Sequence, residues 1–116
     1  MRKILIATHG EFAGGLKQTM DFVLGGNEKV GVLSAYTTPD FDMDREAAAV
    51  VDELEDGDEL IVLTDVLGGS VNNEASQFKN LANVHVIAGM NLALVLSLVI
   101  STEPDTSRLI EESIHA

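Results

Sequence analysis

A histidine directly follows an uninterrupted apolar run near the start of the chain. Residues 4–7 read Ile-Leu-Ile-Ala, the composition of a buried strand, and Thr8, His9 and Gly10 come next. An imidazole with one free ring nitrogen can act as a base or as a nucleophile near neutral pH. Because a lone histidine at a strand end is more often structural than catalytic, His9 is a candidate only if other chemical groups meet it.

The segment DVLGGSVNNEA supplies such groups. Asp65 follows another buried run, and a carboxylate that accepts a hydrogen bond from one ring nitrogen leaves the other with its lone pair outward. Gly68, Gly69 and Ser70 precede an amphipathic pattern. Glycines let backbone N–H groups approach an anion, and a helix N-terminus favours negative charge. These residues predict a site where the Gly68-Gly69-Ser70 turn binds a phosphoryl group carried by His9.

Specific motifs for nucleotide binding or metal binding are absent from the sequence. The segment GEFAGGLK lacks the Gly-Lys pair of a phosphate-binding loop, and no G-x-G-x-x-G follows the first strand. His9, Glu11 and Asp65 have no histidine pair or recognisable ligand spacing, so we expect neither a metal nor another cofactor. His85 lies inside an apolar run and His115 near the end, where we expect structural or merely exposed roles.

The composition restricts both the fold and the partners. With 116 residues, 46% of them hydrophobic, the chain suits one compact domain over residues 1–116, and its 4% aromatic content predicts a core of Val, Leu, Ile and Ala. The absence of cysteine excludes disulfides, thiolate metal sites and thiol catalysis. A net charge of −12 disfavours nucleic acid and anionic membranes and favours a protein partner with a basic face.

No segment has the pattern of a secretory leader or a membrane span. The start MRKILIATHG has a basic tip, but its short apolar run ends in Thr-His-Gly rather than in a cleavage-site pattern. The most apolar stretch, residues 92–100, is far shorter than the ~20 residues that cross a bilayer. We therefore expect a cytoplasmic protein.

Four short apolar runs predict buried parallel strands, because they are rich in β-branched residues and do not alternate strictly with polar ones. The predicted strands are residues 3–8, 30–36, 60–64 and 84–88. Apolar residues at helical spacing separate the strands and follow the last one. Their predicted faces are Phe12, Leu16, Met20, Val23 and Leu24; Ala47, Val50, Val51 and Leu54; Val71, Ala75, Phe78 and Ala82; and Leu109, Ile110 and Ile114.

This order of elements predicts an α/β fold with a doubly wound, mainly parallel sheet of order 2-1-3-4 and helices on both faces. In such a sheet the functional crevice opens at the carboxyl ends of the strands, where the strand order reverses. His9 follows the first strand and Asp65 the third. We therefore expect the two side chains to meet in the crevice.

Two helix starts can be assigned from the sequence. Asp42 has the short polar side chain of an N-cap and precedes the second helix, and the fourth helix starts near Asn91. The fourth helix is apolar on all sides, so it is either deeply buried or covered by a second subunit. We therefore expect a homodimer.

Three segments carry a resemblance that covers nearly all of the chain. ILIATHGEFAGGL, DVLGGSVNNEA and VIAGMNLALVL resemble the IIA domain of the mannose-family, phosphoenolpyruvate-dependent sugar phosphotransferase system. The resemblance implies a phosphohistidine relay, in which His9 receives a phosphoryl group from the phosphocarrier protein HPr and passes it to a IIB domain. It implies membrane contact only through the IIC/IID permease. It also implies that Asp65 hydrogen-bonds the histidine and that Gly68, Gly69 and Ser70 form the family's turn.

Two positions depart from the family pattern, and two others flank the predicted site. Val71 and Ala93 stand where the family often has proline, and this difference affects the rigidity of a helical turn more than the chemistry. Phe12 and Leu67 flank the site. Each belongs either to an apolar docking patch or to the core.

Three other interpretations remain open from the residues. A receiver-like regulatory domain would be phosphorylated on Asp65, although that class needs acidic residues after the first strand and a late lysine, and no lysine follows Lys79. An EIIA-like subunit could feed a dihydroxyacetone kinase instead of a sugar permease. An acidic binding module without phosphate chemistry is the third, and labelling by a phosphodonor separates it from the others.

Overall fold

Four parallel strands form one sheet in the computed structural model, which describes residues 1–26, 29–66, 69–78 and 81–115. The strands are β1 (Arg2–His9), β2 (Val30–Ala35), β3 (Glu59–Thr64) and β4 (Val84–Ile87). Their order across the sheet is β2-β1-β3-β4, so the order reverses between β1 and β3. The predicted α/β class and sheet order are confirmed.

Helices connect the strands and cover both faces of the sheet. They are α1 (Phe12–Leu24), α2 (Met43–Asp52), α3 (Ser70–Ala75), α4 (Leu92–Ile100) and α5 (Thr106–Ile114), and a 3₁₀ turn at Ser76–Phe78 extends α3. One face of the sheet packs against α1, α4 and α5, and the other against α2 and α3. Parallel strands require such crossovers, because a tight hairpin joins only antiparallel strands.

The central strand β1 buries side chains on both faces of the sheet. Ile4 and Ile6 belong to the apolar cluster under α1, α4 and α5, whereas Leu5 and Ala7 belong to the cluster under α2 and α3. Successive side chains of a strand point to opposite faces, so a strand covered on both sides has an unbroken apolar sequence. The same double cover holds the end of β1, which carries His9, in a rigid frame.

The apolar face of α1 is shorter than the spacing predicts. Leu16 and Met20 are buried as expected, but Phe12 is 54% exposed, Val23 61% and Leu24 41%. The prediction of one continuous buried face is therefore wrong at both helix ends. The sheet and α4 cover only the middle of the helix.

Two further apolar patterns end before their last predicted residue. Val71 is buried on α3 and Phe78 is partly buried, but Ala82 lies exposed beyond the helix, where the chain turns toward β4. On α5, Leu109 is buried, whereas Ile114 is 53% exposed in the last turn. Spacing alone identifies a helical face but not the residue at which the chain leaves it.

Side-chain N-caps start α2 and α4. Asp42 accepts a hydrogen bond from the backbone N–H of Arg45, and Asn91 accepts one from the backbone N–H of Leu94. Each cap pairs an N–H group of a first turn that has no partner within its helix. The predicted cap at Asp42 and the predicted start near Asn91 are confirmed.

Helix α4 is only partly buried despite its apolar composition. Leu94, Val95 and Leu98 face the core, while Ile100 is 63% exposed and Ala93 lies at the surface. A second subunit over the exposed side stays a prediction. Across the described ranges, no helix combines the length and the apolar character that crossing a membrane requires.

A buried carboxylate, Asp58, links several groups at the amino ends of the strands, on the side of the sheet away from His9. Asp58, in the loop before β3, is 8% exposed. It accepts hydrogen bonds from the backbone N–H of Glu55 and from the α-amino group of Met1, and Nζ of Lys3 lies 3.5 Å away. These interactions, the Glu55 N–H first among them, lower the pKa of Asp58 to about 2.

The low pKa of Asp58 predicts an acid-dependent loss of stability. A carboxyl with a depressed folded pKa stabilises the fold fully above its unfolded pKa of about 4, and this contribution is lost as pH falls through the folded value. Between about pH 4 and about pH 2, the free energy of unfolding of wild type should therefore fall more steeply than that of Asp58→Asn. Urea unfolding at a series of pH values measures both.

Asp56→Asn is the control for this experiment. Asp56 is an exposed carboxylate on the same loop, so the substitution changes the net charge by the same amount without touching the buried group. A difference between wild type and Asp58→Asn that stays constant across the acid range would contradict the prediction.

Candidate functional site

The carboxyl ends of three adjacent strands bring the site together. In the register of the sheet, His9 on β1 pairs with Ala35, the last residue of β2. Tyr36 follows that strand end, and Asp65 directly follows β3 on the other side of β1. The order β2-β1-β3 thus places an imidazole between a phenol and a carboxylate.

His9 and Asp65 are in direct contact at the predicted reversal of strand order. Oδ2 of Asp65 accepts a hydrogen bond from the backbone N–H of His9 and lies 3.0 Å from the ring nitrogen Nδ1. The side chain of Asp65 is 12% exposed, whereas that of His9 is 43% exposed. One carboxylate oxygen thus orients both the backbone and the ring of His9 and leaves much of the imidazole accessible.

The charge of Asp65 determines which ring nitrogen carries a hydrogen. Burial raises the pKa of Asp65, but the hydrogen bonds from the backbone and ring of His9 outweigh it and hold that pKa below its ordinary value. An ionised carboxylate can only accept hydrogen bonds, so Nδ1 of His9 carries the hydrogen. In the neutral imidazole, Nε2 then holds a lone pair.

Ser70 lies on the Nε2 side of the imidazole. Its hydroxyl oxygen is 3.2 Å from Nε2 of His9. Because Nε2 has no hydrogen in this tautomer, the Ser70 hydroxyl is the donor of the bond. Ser70 is also the first residue of α3. Gly68, the first residue of the predicted turn, and Leu67, the predicted flanking residue, lie outside the described residues.

Gly69 allows the start of α3 to approach the imidazole. A Cβ at this position would lie 3.3 Å from the carbonyl oxygen of Val66, a tight contact, and 3.4 Å from Cε1 of His9, so a larger residue would displace the turn beside the histidine. The backbone N–H of Gly69 donates to the Val66 carbonyl at 3.1 Å. That N–H is therefore engaged within the turn in this state.

Buried hydrogen bonds fix the segments that carry the site. The Asn72 side chain donates to the Thr64 hydroxyl at 2.9 Å, which ties α3 to the end of β3. The Thr8 hydroxyl accepts from the backbone N–H of Ala13 at 2.7 Å, which ties the end of β1 to the first turn of α1. Since an unpaired buried polar group is costly, each bond holds its segment in one position.

Sequence reasoning missed Tyr36, which contacts both His9 and Ser70. Its hydroxyl donates to the Ser70 hydroxyl oxygen at 2.9 Å. Its ring centroid lies 5.6 Å from that of His9, and the ring of Phe41 packs edge-on against it at 5.3 Å. The available signal was its position directly after the second strand, beside the strand that carries the histidine.

An acidic cavity of about 460 Å³ opens beside the site, with Tyr36 in its wall. Four carboxylates line this cavity and form its acidic rim: Asp40, Asp42, Asp44 and Glu74. A hydrogen bond within the rim raises the pKa of Glu74 and lowers that of Asp44. In the sequence, Lys and Arg are absent from all four segments that follow the strands, namely residues 10–11, 36–42, 65–69 and 88–91.

Phe12 lies at the surface rather than in the core. Its side chain is 54% exposed. Together with Leu16, Thr19 and Leu92 it lines an open cavity of about 310 Å³. α1 begins at Phe12, directly after the turn that follows the histidine.

His85 and His115 lie away from the site. The side chain of His85 on β4 is 22% exposed, and its Nε2 lies 3.6 Å from Oε1 of Glu59, at the start of β3. His115 is exposed just after α5. Within the described part of the chain, no three His, Cys, Asp or Glu side chains are grouped as a metal site would need.

A protein-family model matches nearly the whole chain. The model is EIIA-man, described as "PTS system fructose IIA component", where PTS is the phosphotransferase system, and it matches residues 3–115. The matched span includes the histidine, the carboxylate and the turn before α3. The resemblance stated from the sequence is thereby confirmed.

Solved structures of PTS proteins share the fold. A candidate permease of the phosphoenolpyruvate-dependent sugar PTS from Klebsiella pneumoniae is 37% identical, with a TM-score of 0.93 over 98% of this chain and 84% of that one. The PTS IIA protein associated with the fucose utilization operon of Streptococcus pneumoniae is 33% identical, with a TM-score of 0.81 over 98% and 89%.

A third structure, the EIIA component from Streptococcus agalactiae, is 27% identical, with a TM-score of 0.85 over 99% of this chain and 91% of that one. These relatives share the sheet and helices of this chain along almost their full length. Because the family model also spans nearly every residue, the chain belongs to the EIIA-man family and is a component of the sugar phosphotransferase system.

Proposed function

We propose that the protein is a phosphohistidine relay, which accepts a phosphoryl group from HPr on His9 and passes it to a IIB domain. The observation that carries this proposal is the 3.0 Å contact between Nδ1 of His9 and Asp65, which leaves Nε2 without a hydrogen and with a lone pair that can attack once the Ser70 hydroxyl turns away from it. Family membership supports the same chemistry. The imidazole is accessible, its Nδ1 is hydrogen-bonded to Asp65, and its Nε2 carries no hydrogen. Such a ring can both accept and release a phosphoryl group.

Phosphoryl transfer requires a nucleophile in line with the bond that breaks. The Nε2 lone pair of His9 forms the new N–P bond, while the bond between phosphorus and the donor atom breaks and its electron pair leaves with the donor. Nδ1 keeps its hydrogen, so the phosphorylated ring carries a positive charge. Because the transition state is loose, positioning and hydrogen-bond donors contribute more than covalent assistance. Transfer to the IIB domain runs the same step in reverse.

Asp65 has two roles in this mechanism. Before attack, its carboxylate holds the hydrogen on Nδ1 and so keeps a lone pair on Nε2. After attack, it stabilises the positive ring, because a hydrogen bond strengthens when donor and acceptor carry opposite charges. Its pKa lies below the ordinary value, so the carboxylate is ionised near neutral pH before the attack.

We assign Gly68, Gly69 and Ser70 as the phosphate-binding residues. The Ser70 hydroxyl is 3.2 Å from Nε2, within reach of a phosphoryl oxygen attached there. The Gly69 N–H donates to Val66 in this state, so it becomes available to the phosphoryl group only when the turn adjusts. Neutral donors of this kind bind the phosphoryl group without a cation.

The acidic rim and Phe12 are the proposed docking surface for the protein partners. A partner with a basic face is attracted by the acidic rim, and complementary charge accelerates docking. Phe12, which is 54% exposed, and Leu67 would contribute apolar contacts. We also propose that the protein acts as a homodimer in the cytoplasm, without a nucleic-acid partner, and reaches the membrane only through the IIC/IID permease.

The competing hypotheses have less support. Phosphorylation on Asp65 would have to take place on a carboxylate whose side chain is only 12% exposed and whose Oδ2 contacts both the backbone and the ring of His9. Supply of a dihydroxyacetone kinase would use the same histidine chemistry, so that hypothesis differs only in the acceptor downstream.

The first prediction of this mechanism concerns the phosphorylated residue. With phosphoenolpyruvate and the general phosphotransferases, HPr included, wild type should gain acid-labile phosphate and His9→Ala should gain none, because the attacking nitrogen is missing. Radiolabelled phosphoenolpyruvate followed by acid treatment measures the incorporation. His115→Ala is the control and should label like wild type, since His115 is exposed beyond α5. Label that persists on His9→Ala would exclude the proposed mechanism.

The second prediction concerns the carboxylate. Asp65→Asn should slow transfer from phosphorylated HPr by about 10-fold or more, because a hydrogen bond to a charged group contributes ~1.5–3 kcal/mol and an amide can donate to Nδ1 and favour the wrong tautomer. Rapid-quench kinetics measure the rate. Asp56→Asn removes a charge far from the site and serves as control. A rate equal to that of wild type would remove Asp65 from the mechanism.

The third prediction concerns the close approach at Gly69. Gly69→Ala should slow transfer by about 5-fold, because relief of the 3.3 Å contact between the added Cβ and the Val66 carbonyl oxygen shifts the turn beside His9, at a cost of ~1 kcal/mol. Gly14→Ala is the matched control: a Cβ there meets no atom within 4 Å, and alanine stabilises a helix interior. Equal rates for the two variants would show that the close packing at Gly69 is unimportant.

A further inference from the structure

We propose that Tyr36 is a positioning residue for phosphoryl transfer, because its hydroxyl fixes the direction of the Ser70 hydroxyl that faces Nε2 of His9. The inference rests on the proposed function of His9. It concerns a residue outside the motifs that identify the family, and it assigns to that residue an action through Ser70 rather than on the phosphoryl group itself.

The direction of each hydrogen bond in the site follows from the carboxylate of Asp65. Because that carboxylate only accepts, Nδ1 of His9 holds the ring hydrogen and Nε2 is bare. The Ser70 hydroxyl must therefore donate its single hydrogen to Nε2. The bond between Tyr36 and Ser70 then has one possible direction, in which the phenol donates to the Ser70 oxygen at 2.9 Å.

The backbone at Tyr36 is held in an unusual conformation. Among the described non-glycine residues it alone has a positive φ, 64°, a left-handed conformation that is costly for a residue with a Cβ. Such conformations persist where the surrounding structure enforces them and occur often at functional sites. Here the conformation accompanies a side chain that lies against His9 instead of entering a core cluster.

Ring contacts on two sides restrict the phenol. The imidazole of His9 lies 5.6 Å from the tyrosine ring at an interplanar angle of 31°, and Phe41 packs edge-on at 5.3 Å. Tyr36 is 50% exposed, so burial alone would leave it mobile. The two ring contacts and the bond to Ser70 together hold the hydroxyl in place.

The restriction matters when the N–P bond forms. Nε2 then no longer accepts, and the Ser70 hydrogen must turn to a phosphoryl oxygen attached to the same nitrogen. The phenol of Tyr36 donates its hydrogen to the Ser70 oxygen. The hydrogen of Ser70 itself cannot point toward the phenol, so it stays directed toward the histidine. Without the phenol hydroxyl, Ser70 is free to rotate toward other acceptors, and the donor is misdirected for part of the time.

The test compares four proteins: wild type, Tyr36→Phe, Ser70→Ala and the double variant. Phenylalanine keeps the ring contacts and the backbone conformation and removes only the hydroxyl. The phosphorylation rate of His9 is measured with phosphoramidate, a small donor that needs no docking surface, and with phosphorylated HPr. Tyr36→Phe should slow both reactions by about 3- to 10-fold, the effect of losing one hydrogen bond.

The double variant separates action through Ser70 from other roles. In the Ser70→Ala background, Tyr36→Phe should cause no further slowing, because coupled residues are not additive. With phosphorylated HPr, Tyr36→Phe should lower kcat and leave KM unchanged. Equal slowing in both backgrounds, or a raised KM with an unchanged kcat, would overturn the inference, since Tyr36 would then act alone or serve docking.

A readout on the unphosphorylated protein is independent of transfer. The ¹⁵N resonance of Nε2 should have the shift of a hydrogen-bonded acceptor in wild type and move toward that of a free acceptor in both Tyr36→Phe and Ser70→Ala, with thermal unfolding unchanged. An unmoved resonance in Tyr36→Phe would overturn the inference. Failure of wild type to accept phosphate from either donor overturns the proposed function instead, whereas Tyr36→Phe at the wild-type rate overturns only the role of Tyr36.

Discussion

The hydrogen bond between Asp65 and the ring of His9 is the interaction on which the rest of the site depends. A single carboxylate oxygen accepts a hydrogen bond from the His9 backbone N–H and lies 3.0 Å from Nδ1. One group therefore fixes the position of the backbone at the end of β1, the orientation of the imidazole and its tautomer. The contacts beyond it take their direction from that choice, since Ser70 must donate to Nε2 and Tyr36 must donate to Ser70. In the other tautomer Nε2 would carry a hydrogen and could not attack phosphorus.

That hydrogen bond exists because the sheet delivers its two partners from adjacent strands. β1 and β3 run side by side and end at the same edge, and both are covered by helices on each face. Close packing of this kind leaves the strand ends little freedom. Buried bonds from Thr8 to α1 and from Thr64 to α3 extend the frame into the loops. The histidine is therefore held by a rigid scaffold although it lies at the surface.

The fold and the central pair were predictable because they follow from topology. Unbroken apolar runs indicated doubly covered strands, and their order placed His9 beside Asp65. Hydrophobic spacing says nothing about side-chain direction after a strand ends, so Tyr36, with φ of 64°, was not found. The spacing also overestimated the length of the buried face of α1, because Phe12 lies beyond the part of the helix that the sheet and α4 cover.

The charge distribution is consistent with a carrier rather than a storage site for phosphate. A carrier must both accept and release its phosphoryl group, so it should bind that group with intermediate strength. A lysine or arginine beside the group would strengthen the binding through a charge-assisted hydrogen bond. Lys and Arg are absent from the segments after the four strands, and the chain carries a net charge of −12. On the proposed function, the partner brings cationic groups to these segments, so phosphoryl transfer is better stabilised while donor or acceptor is docked. On the same proposal, neutral donors and the Asp65 carboxylate hold the phosphorylated ring between encounters.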